Sequence, residues 1–383
     1  MIPRILEKKI LNDLFKGKAI ILYGPRQAGK TTLVEKIARE ACVSYIFKNG
    51  DEPDVREQFE NATSTSLKAM IGDKRLLVID EAQRIRNIGI AIKLITDNLP
   101  EVQVLATGSS SFELAESIKE PLTGRKYEHF LFPLSYQEMC SFSGKQEERR
   151  LLEHRLVYGY YPDIVNHPGE ERRHLALLSD SYLYKDLFAY EGIKKPSLLQ
   201  KLLKALALQL GSEVSYNELS RLIGADKETV ERYIDLLVKA FVIFILPGYS
   251  GNLRTEIRKG KKIYFLDNGI RNAILSNYSP VTLRSDIGAL WENFMISERR
   301  KVNHYHDFYG NTYFWRTTLQ QEIDYLEEMD GHLNAFEFKW GLDRRSKPPA
   351  AFSNAYPGSI FQIIQIDNFE DFVCPLIQSD HKP

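Results

Sequence analysis

One stretch limits what this chain can fold into more than any other: AIILYGPRQAGKTTL, residues 19–33. Its first five residues are apolar and predict a short strand, and the amphipathic segment LVEKIARE predicts the helix that follows. The loop between them fits the pattern G-x-x-x-x-G-K-[ST] in full. Such a loop, joined to a helix N-terminus, presents backbone N–H groups to a phosphate. The stretch therefore predicts nucleotide binding by an α/β fold.

The glycines, the lysine and the threonine of this loop are expected to have different roles in nucleotide binding. Gly24 and Gly29 allow the backbone to curl so that its N–H groups face one point. We expect Lys30 to reach the β- and γ-phosphates and the Thr31 hydroxyl to contact Mg²⁺. The residues expected around ATP and its Mg²⁺ are Gly24, Pro25, Arg26, Gln27, Ala28, Gly29, Lys30, Thr31 and Thr32, with Asp80 from a later strand.

Two later apolar runs end in polar residues that would complete such a site. The run LLVI predicts a buried parallel strand; Asp80 after it would hold the Mg²⁺ shell, and Glu81 would polarise the attacking water. The alternative is a strand end with two solvated acids. The run VQVLA leads to Thr107 and Ser109, of which Ser109 is the better candidate for orienting the water; a simple polar turn is the alternative. All these residues lie at strand carboxyl ends, where open parallel sheets bind ligands.

One arginine further along is a candidate for catalysis between subunits. Arg125 follows a glycine in the polar turn of LTGRKYEHF. A guanidinium at that position could reach the γ-phosphate of a neighbouring subunit as an arginine finger. A surface arginine without a catalytic role is the alternative.

These motifs together resemble those of a known family. The stretches GPRQAGKTTL, LLVIDEAQ, ATGSSS, LTGR with FPLSYQE, YYPDIV, WENF, YFWRT, EIDYL and FEFK span nearly the whole chain. Their order is similar to that of prokaryotic AAA-type ATPases whose carboxy-terminal part is a domain of unknown function with a restriction-endonuclease-like core. The resemblance implies an ATPase that assembles with itself, with a hexameric ring as a candidate form. It implies much less about the substrate.

Composition narrows the class of protein. The 383 residues include 51 basic and 51 acidic side chains, so nucleic-acid contact would need a local basic patch. No apolar run approaches the ~20 residues that span a bilayer, and the start MIPRILEKK lacks a signal-peptide apolar segment. The three cysteines show no metal-ligand spacing. We therefore expect a cytoplasmic protein with no membrane partner.

Residues 168–275 have the outline of a winged helix-turn-helix. The exposed face of its second helix carries three acids and two bases, which suits a DNA groove poorly. The segment that would form the wing contains five basic residues that we expect to contact the DNA backbone: Arg254, Arg258, Lys259, Lys261 and Lys262. A module that serves only to pack against the ATPase is the alternative.

The stretch HLNAFEFKW, residues 332–340, alternates aromatic residues with Glu337 and Lys339. Glu292 near the start of a helix and Asp324 on the preceding strand complete the acid set of a PD-(D/E)-x-K nuclease. The acids can hold one or two Mg²⁺ ions, and the lysine can steady the attacking water. Because this fold also serves as a binding platform, we favour a platform for DNA or a partner over a cutting site. A purely structural domain is the third possibility.

The sequence thus predicts a three-part chain: a P-loop ATPase of the AAA type with a parallel α/β sheet (residues 1–167), a winged-helix module (168–275) and a PD-(D/E)-x-K-like α/β domain (276–383). We expect ATP hydrolysis to drive an oligomer that acts on DNA, for example branched or damaged DNA. One alternative is an ATP-gated, metal-dependent nuclease. The other is a nucleotide-switched regulator of a protein partner.

Overall fold

The structure is a computed structural model that describes residues 1–108, 122–180, 195–250, 260–341 and 347–375. The chain divides into two compact units, residues 1–134 with 239–241 and residues 135–238 with 242–383. The domain boundaries that the sequence predicts, after residues 167 and 275, remain a proposal.

The first unit is built on a parallel sheet. Its strands are β1 (Ala19–Tyr23), β2 (Tyr45–Asn49), β3 (Leu76–Asp80), β4 (Gln103–Gly108) and β5 (Lys126–Phe130). All four neighbouring pairs are parallel, in the order β2-β3-β4-β1-β5. The helices described in this unit are α1 (Ile5–Asp13), α2 (Lys30–Glu40), α3 (Pro53–Phe59), α4 (Ser64–Ile71) and α5 (Ile88–Asn98). The predicted α/β fold is confirmed.

The three central strands are buried along their whole length. Every residue of β1, β3 and β4 is buried, which is why these strands are mostly apolar rather than alternating, with Asp80, Gln103 and Thr107 as buried polar residues at or near their ends. Because all five strands are parallel, their carboxyl ends lie at one edge of the sheet. The last residues of β3 and β4 and the residues that directly follow β1 and β3 therefore come together at that edge.

The second unit is largely helical in its first half. Its described helices are α6 (Tyr136–Ser143), α7 (Lys145–Arg150), α8 (Leu152–Tyr158), α9 (Pro162–Asn166), α10 (Glu171–Leu178), α11 (Pro196–Leu208), α12 (Tyr216–Ile223), α13 (Lys227–Lys239), α14 (Asn268–Ile274), α15 (Ile287–Tyr305), α16 (Ala350–Ala355) and α17 (Phe369–Val373). None of the helices in the described ranges combines the length and apolar character needed to cross a membrane.

A small antiparallel sheet accompanies α12 and α13. Its strands β6 (Glu213–Val214), β7 (Ile243–Pro247) and β8 (Lys261–Phe265) pair in the order β6-β8-β7. Asp226 begins α13 by accepting hydrogen bonds from the Thr229 N–H (2.6 Å) and hydroxyl (2.8 Å). Val230, Ile234 and Leu237 are buried on the inner face of α13. The winged-helix interpretation of these elements stays a prediction.

The carboxy-terminal sheet has the order β12-β11-β10-β9. Its strands are β9 (Asn311–Arg316), β10 (Glu322–Met329), β11 (His332–Phe338) and β12 (Ile360–Ile364). The aromatic rings of Phe336 and Phe338 contact Tyr325 and Phe372 on one face, whereas Ala335 packs in a cluster with Phe352. Both faces of β11 are therefore covered, and the aromatic residues of this strand are core, as the sequence predicts.

Candidate active site

The loop after β1 has the backbone that its glycines permit. A Cβ atom at Gly24 would lie 2.2 Å from the Leu131 carbonyl oxygen, so no other residue fits there without moving the backbone. Gly29 has φ 94°, a left-handed conformation that glycine adopts readily, and it directly precedes α2. Glycine is thus needed at the two positions for different reasons. At Gly24 the Leu131 backbone comes too close for a side chain, and at Gly29 the φ angle is positive.

Lys30 is folded onto the loop itself. Its ammonium group donates hydrogen bonds to the carbonyl oxygens of Gly24 (3.0 Å) and Pro25 (2.8 Å), and the residue is only 5% exposed. Burial lowers the pKa of Lys30 to about 8, although the nearby Glu81 and Asp80 carboxylates oppose this shift. A buried ammonium group hydrogen-bonded to loop carbonyl oxygens is well placed to bind phosphate.

Asp80 is the centre of a hydrogen-bond network at the strand ends. Its two carboxylate oxygens accept from the hydroxyls of Thr31 (2.8 Å) and Thr107 (2.5 Å). The Glu81 N–H donates to the same Thr107 hydroxyl at 3.2 Å, and Thr107 is fully buried. The structure therefore brings Thr31, Asp80 and Glu81 together, and it gives Thr107 a larger part than the sequence prediction does.

Glu81 is held in a special conformation. Its φ and ψ of 49° and 41° are left-handed, and its carboxylate accepts a hydrogen bond from the Gln83 amide. The backbone of Gly50 runs directly alongside, because a Cβ there would lie 2.4 Å from the Glu81 carbonyl oxygen. A non-glycine residue in this backbone region is uncommon and is often found at functional sites.

Arg4 is a member of the site that sequence reasoning missed. Its guanidinium donates to the carbonyl oxygens of Ala28 in the loop (2.7 Å) and of Phe132 after β5 (2.5 Å). Arg4 therefore ties the phosphate loop to the neighbouring strand end. No local pattern marks such a residue, since the contact joins positions 24 and 128 residues apart.

These residues fit a nucleotide with Mg²⁺. The Thr31 hydroxyl and the Asp80 carboxylate are adjacent oxygen ligands of the kind that Mg²⁺ prefers. Lys30 supplies a positive charge beside them, and the loop N–H groups and the start of α2 supply the anion site. Ser109, the other predicted catalytic residue here, lies outside the described residues.

Arg125 lies at the opposite edge of the sheet. Its carbonyl oxygen accepts a hydrogen bond from the Ala19 N–H (2.9 Å), at the first residue of β1. Its Nε is 2.7 Å from Asp97 Oδ1, and the side chain is 42% exposed. Five residues of β1, about 3.3 Å each, separate this edge from the phosphate loop. Arg125 is thus remote from the loop of its own subunit, and the finger hypothesis applies only to a neighbouring one.

A second cluster of acids surrounds Lys262. The Lys262 ammonium lies 3.0 Å from Glu292 Oε1 and also contacts Glu322, and the residue is completely buried. The Tyr264 hydroxyl donates to the same Glu292 oxygen at 2.6 Å. Burial lowers the pKa of Lys262, but Glu292, Asp324 and Glu322 outweigh it and leave the pKa raised. The prediction that Lys262 contacts DNA is wrong for this conformation, because its charge is enclosed and paired.

The four predicted nuclease-type residues converge beside Lys262. Asp324 on β10 accepts a hydrogen bond from the Phe338 N–H of β11 (2.8 Å), and Lys339 contacts Glu337 Oε1 (2.8 Å). A shift in the β9–β10 register between Ile323 and Leu326 re-aims this part of β10. Burial raises the pKa of Asp324 well above its usual range; Glu292 and Glu337 add to this rise, whereas Lys262 opposes it.

Of the other four residues predicted to contact DNA, Lys261 is the one that the structure describes. Lys261 lies over the Tyr216 ring, 5.3 Å from its centroid, and is partly exposed. Arg254, Arg258 and Lys259 lie outside the described residues.

Comparison with known proteins divides the chain into three segments. Residues 16–140 match a family described as an AAA domain. Residues 149–280 and 287–368 match two families described as domains of unknown function, DUF8612 and DUF4143. An uncharacterized protein of Mycobacterium tuberculosis is 28% identical over 344 residues, which cover 86% of this chain and 72% of the relative. One of Methanocaldococcus jannaschii is 23% identical over 345 residues, covering 84% and 75%.

Among solved structures, the Thermotoga maritima RuvB Holliday junction branch migration motor matches with a TM-score of 0.32 and 17% identity, over 63% of this chain and 89% of that chain. Drosophila ORC bound to AT-rich DNA and Cdc6 matches with a TM-score of 0.27 and 13% identity, over 71% and 90%. The AAA-domain match coincides with the parallel sheet and its phosphate loop. Residues 16–140 have the α/β fold and the phosphate loop of the AAA-domain family that they match, and the chain as a whole resembles the prokaryotic AAA-type ATPases that carry a carboxy-terminal domain of unknown function.

Proposed function

We propose that this chain hydrolyses ATP with Mg²⁺ and uses the turnover, as a self-assembled oligomer, to act on DNA. The observation that carries the ATPase proposal is the placement of Thr31, Asp80 and Lys30 at one edge of the sheet. A hydroxyl hydrogen-bonded to a carboxylate lies there beside a buried ammonium group. That is the set of groups that a phosphate chain and its metal ion require.

Each residue has its own part in the proposed reaction. Lys30 would bind the β- and γ-phosphates, and Thr31 and Asp80 would hold Mg²⁺ with its water ligands. Bound Mg²⁺ supplies positive charge against the charge that develops on the phosphates. Glu81 would accept the proton of the attacking water, and the Gln83 amide that binds its carboxylate would orient it.

The DNA part of the proposal rests on charge distribution. The run from Arg254 to Lys261 is basic in sequence, which suits salt-dependent contact with phosphates. The first turns of α13 expose Lys227, Glu228, Glu231 and Arg232, a mixture that gives no net attraction to a groove. We therefore propose backbone contact through the basic run, without base reading by α13.

The competing function is nucleotide-switched regulation of a protein partner. One titration distinguishes it from an ATPase that acts on DNA. The ATPase rate of the full chain is measured against single-stranded, duplex and branched DNA of equal nucleotide content. We expect stimulation that falls with added salt and that is absent in Lys30→Ala. Glu81→Gln should still bind ATP and Mg²⁺ but turn over little. A rate that no DNA form changes would favour the regulator, and equal turnover in Glu81→Gln would remove Glu81 as the base.

For the carboxy-terminal sheet we propose a binding platform rather than a cutting site. The convergence of Asp324, Glu337 and Lys339 favours the nuclease as second candidate. The buried Lys262 favours the platform, because an ammonium ion already neutralises the acids that a metal ion would need. Breaking such a buried pair to admit a metal ion would be costly.

A further inference from the structure

Two short helices of the second unit bring together a group of side chains that the proposed ATPase does not use. Asp163 lies on α9, His167 follows one turn later, and His174 lies on α10. His174 Nδ1 is 2.6 Å from Asp163 Oδ2, and His167 Nδ1 is 3.2 Å from Asp163 Oδ1. The two imidazole rings stack with centroids 4.1 Å apart and planes 8° from parallel. One potential ligand atom from each residue lies within 4.8 Å of the other two.

We propose that Asp163, His167 and His174 bind one transition-metal ion of the zinc class. Two imidazole nitrogens and one carboxylate oxygen form a ligand set typical of Zn²⁺, Co²⁺ or Ni²⁺ and unlike that of Mg²⁺ or Ca²⁺. The neutral imidazoles each offer a lone pair.

The surroundings support the ligand role. His167 Nδ1 lies 2.8 Å from the Asp163 carbonyl oxygen, so a proton on that nitrogen leaves Nε2 free to bind a metal. Glu170 Oε2 lies 3.9 Å from His174 Nε2, where a carboxylate can orient a ligating ring from behind. The side chains of His174 and Asp163 are 17% and 38% exposed, so the ion can enter from solvent and the fourth position can hold water.

Binding requires both rings to move. Metal–ligand distances of about 2.0–2.2 Å place ligand atoms roughly 3.5 Å apart, so a pair 4.8 Å apart must close by about 1.3 Å. A bound ion lies near the plane of each imidazole, so the stacked rings must also tilt away from parallel. The His167 side chain is 46% exposed and can supply this movement by rotation. The ion would link α9 to α10, and α9 has only five residues, too few to be stable alone. We therefore infer a structural role, in which the metal stabilises this helix pair.

The test uses the full chain, stripped with a chelator and without nucleotide, and titrated with Zn²⁺ and Co²⁺ by calorimetry and absorption. We expect one ion per chain and a higher midpoint of thermal unfolding with Zn²⁺. His174→Gln and His167→Gln should each weaken binding at least about tenfold and abolish the thermal shift. His332→Gln is the matched control, because His332 is an exposed histidine at the start of β11; it should bind as the parent does.

Two outcomes would overturn the proposal. The first is equal Zn²⁺ affinity in the parent and in a chain that carries both His167→Gln and His174→Gln. The second is a strong thiolate charge-transfer band with Co²⁺, which would assign the ion to cysteine sulfur, for instance Cys140 or Cys374. Circular dichroism of each variant separates loss of the site from loss of folding. Asp163→Asn provides a further check that leaves both histidines in place.

Discussion

The Thr31 hydroxyl donates a hydrogen bond of 2.8 Å to the Asp80 carboxylate. This bond joins the first turn of α2 to the end of β3, and Thr107 binds the other oxygen of the same carboxylate. The first turn of α2, the acidic strand end and the neighbouring strand are thus joined in one network of protein groups. Such preorganisation spares the site the cost of ordering these groups during binding.

Thr31→Val should uncouple nucleotide binding from metal binding. Valine keeps the shape of threonine but removes the hydroxyl, so the Mg²⁺ dependence of ATP affinity should largely disappear. We expect turnover to fall at least about a hundredfold, since a loss of about 3 kcal/mol of transition-state stabilisation corresponds to that factor. Thr31→Ser retains the hydroxyl and should retain most of the activity. Equal Mg²⁺ dependence in the valine and serine variants would contradict this role.

Lys30→Met should stabilise the nucleotide-free protein while abolishing ATP binding. The pKa of Lys30 is lowered from 10.5 to about 8, so below pH 8 the folded chain bears the full cost of burying the charge. Stability contributed by this group rises between pH 8 and 10.5, because the unfolded chain then binds the proton that the folded chain has lost.

For Lys30→Met we therefore expect a gain of about 1–3 kcal/mol at pH 7, after the loss of two hydrogen bonds to carbonyls, and no gain above pH 10.5. Chemical denaturation at several pH values measures it. Lys204→Met, at an exposed position of α11, should change stability by less than about 0.5 kcal/mol. A Lys30→Met chain less stable than the parent at pH 7 would contradict the argument.

Arg125 should act only between subunits. Arg125→Ala chains, intact at Lys30, and Glu81→Gln chains should each turn over ATP slowly, and their mixture should recover part of the activity. Loss of a finger costs ~10³–10⁵ in rate, so the recovery should be easy to measure. Asp97→Asn is the control: it removes the ion-pair partner of Arg125 but keeps the guanidinium. Full activity of a dilute, monomeric parent chain would remove Arg125 from this role.

The proposed nucleotide site can be predicted from the sequence because each of its motifs is a short continuous stretch. The apolar runs before Gly24 and Asp80 predict parallel strands, and polar residues after them must share one edge of the sheet. Arg4 was missed, because its contacts with Ala28 and Phe132 depend on the tertiary fold. Lys262 was misassigned for the same reason. Its neighbours in sequence are basic, and its neighbours in space are carboxylates on α15 and β10.

Lys262→Met should leave the acid cluster without its buried cation. Glu292 and Glu322 then lose the cation with which both are paired, and loss of one partner from a buried ion pair typically costs 3–5 kcal/mol. We expect a fall in stability of about that size by chemical denaturation. Lys261→Met, one position earlier on β8 and partly exposed, should have a much smaller effect. If both variants unfold alike, Lys262 does not neutralise the cluster.

Asp324→Asn should stabilise the chain at neutral pH. Its pKa is raised, first by burial and then by Glu292 and Glu337, so above the ordinary aspartate range the folded chain holds a proton that the unfolded chain releases. The contribution of Asp324 to the free energy of unfolding therefore falls as pH rises. The asparagine variant avoids this loss, which is about 1.4 kcal/mol for each unit by which folding raises the pKa of Asp324. The amide oxygen can still accept the Phe338 N–H. The gain should vanish below about pH 4, and Glu328→Gln on the same strand is the control.

The same amide substitution distinguishes a platform from a cutting site. With Lys262 among the acids, we expect no cleavage of single-stranded, duplex or branched DNA in Mg²⁺ or Mn²⁺. Glu337→Gln should keep or strengthen DNA binding, because it removes repulsion between a carboxylate and the phosphates. Asp324→Asn should keep it, because the raised pKa of Asp324 already favours the neutral acid. ATP hydrolysis should survive both, since its residues belong to the other compact unit. Metal-dependent cleavage that disappears in Glu337→Gln, and that Lys339→Ala weakens without loss of metal binding, would instead make this cluster a nuclease centre.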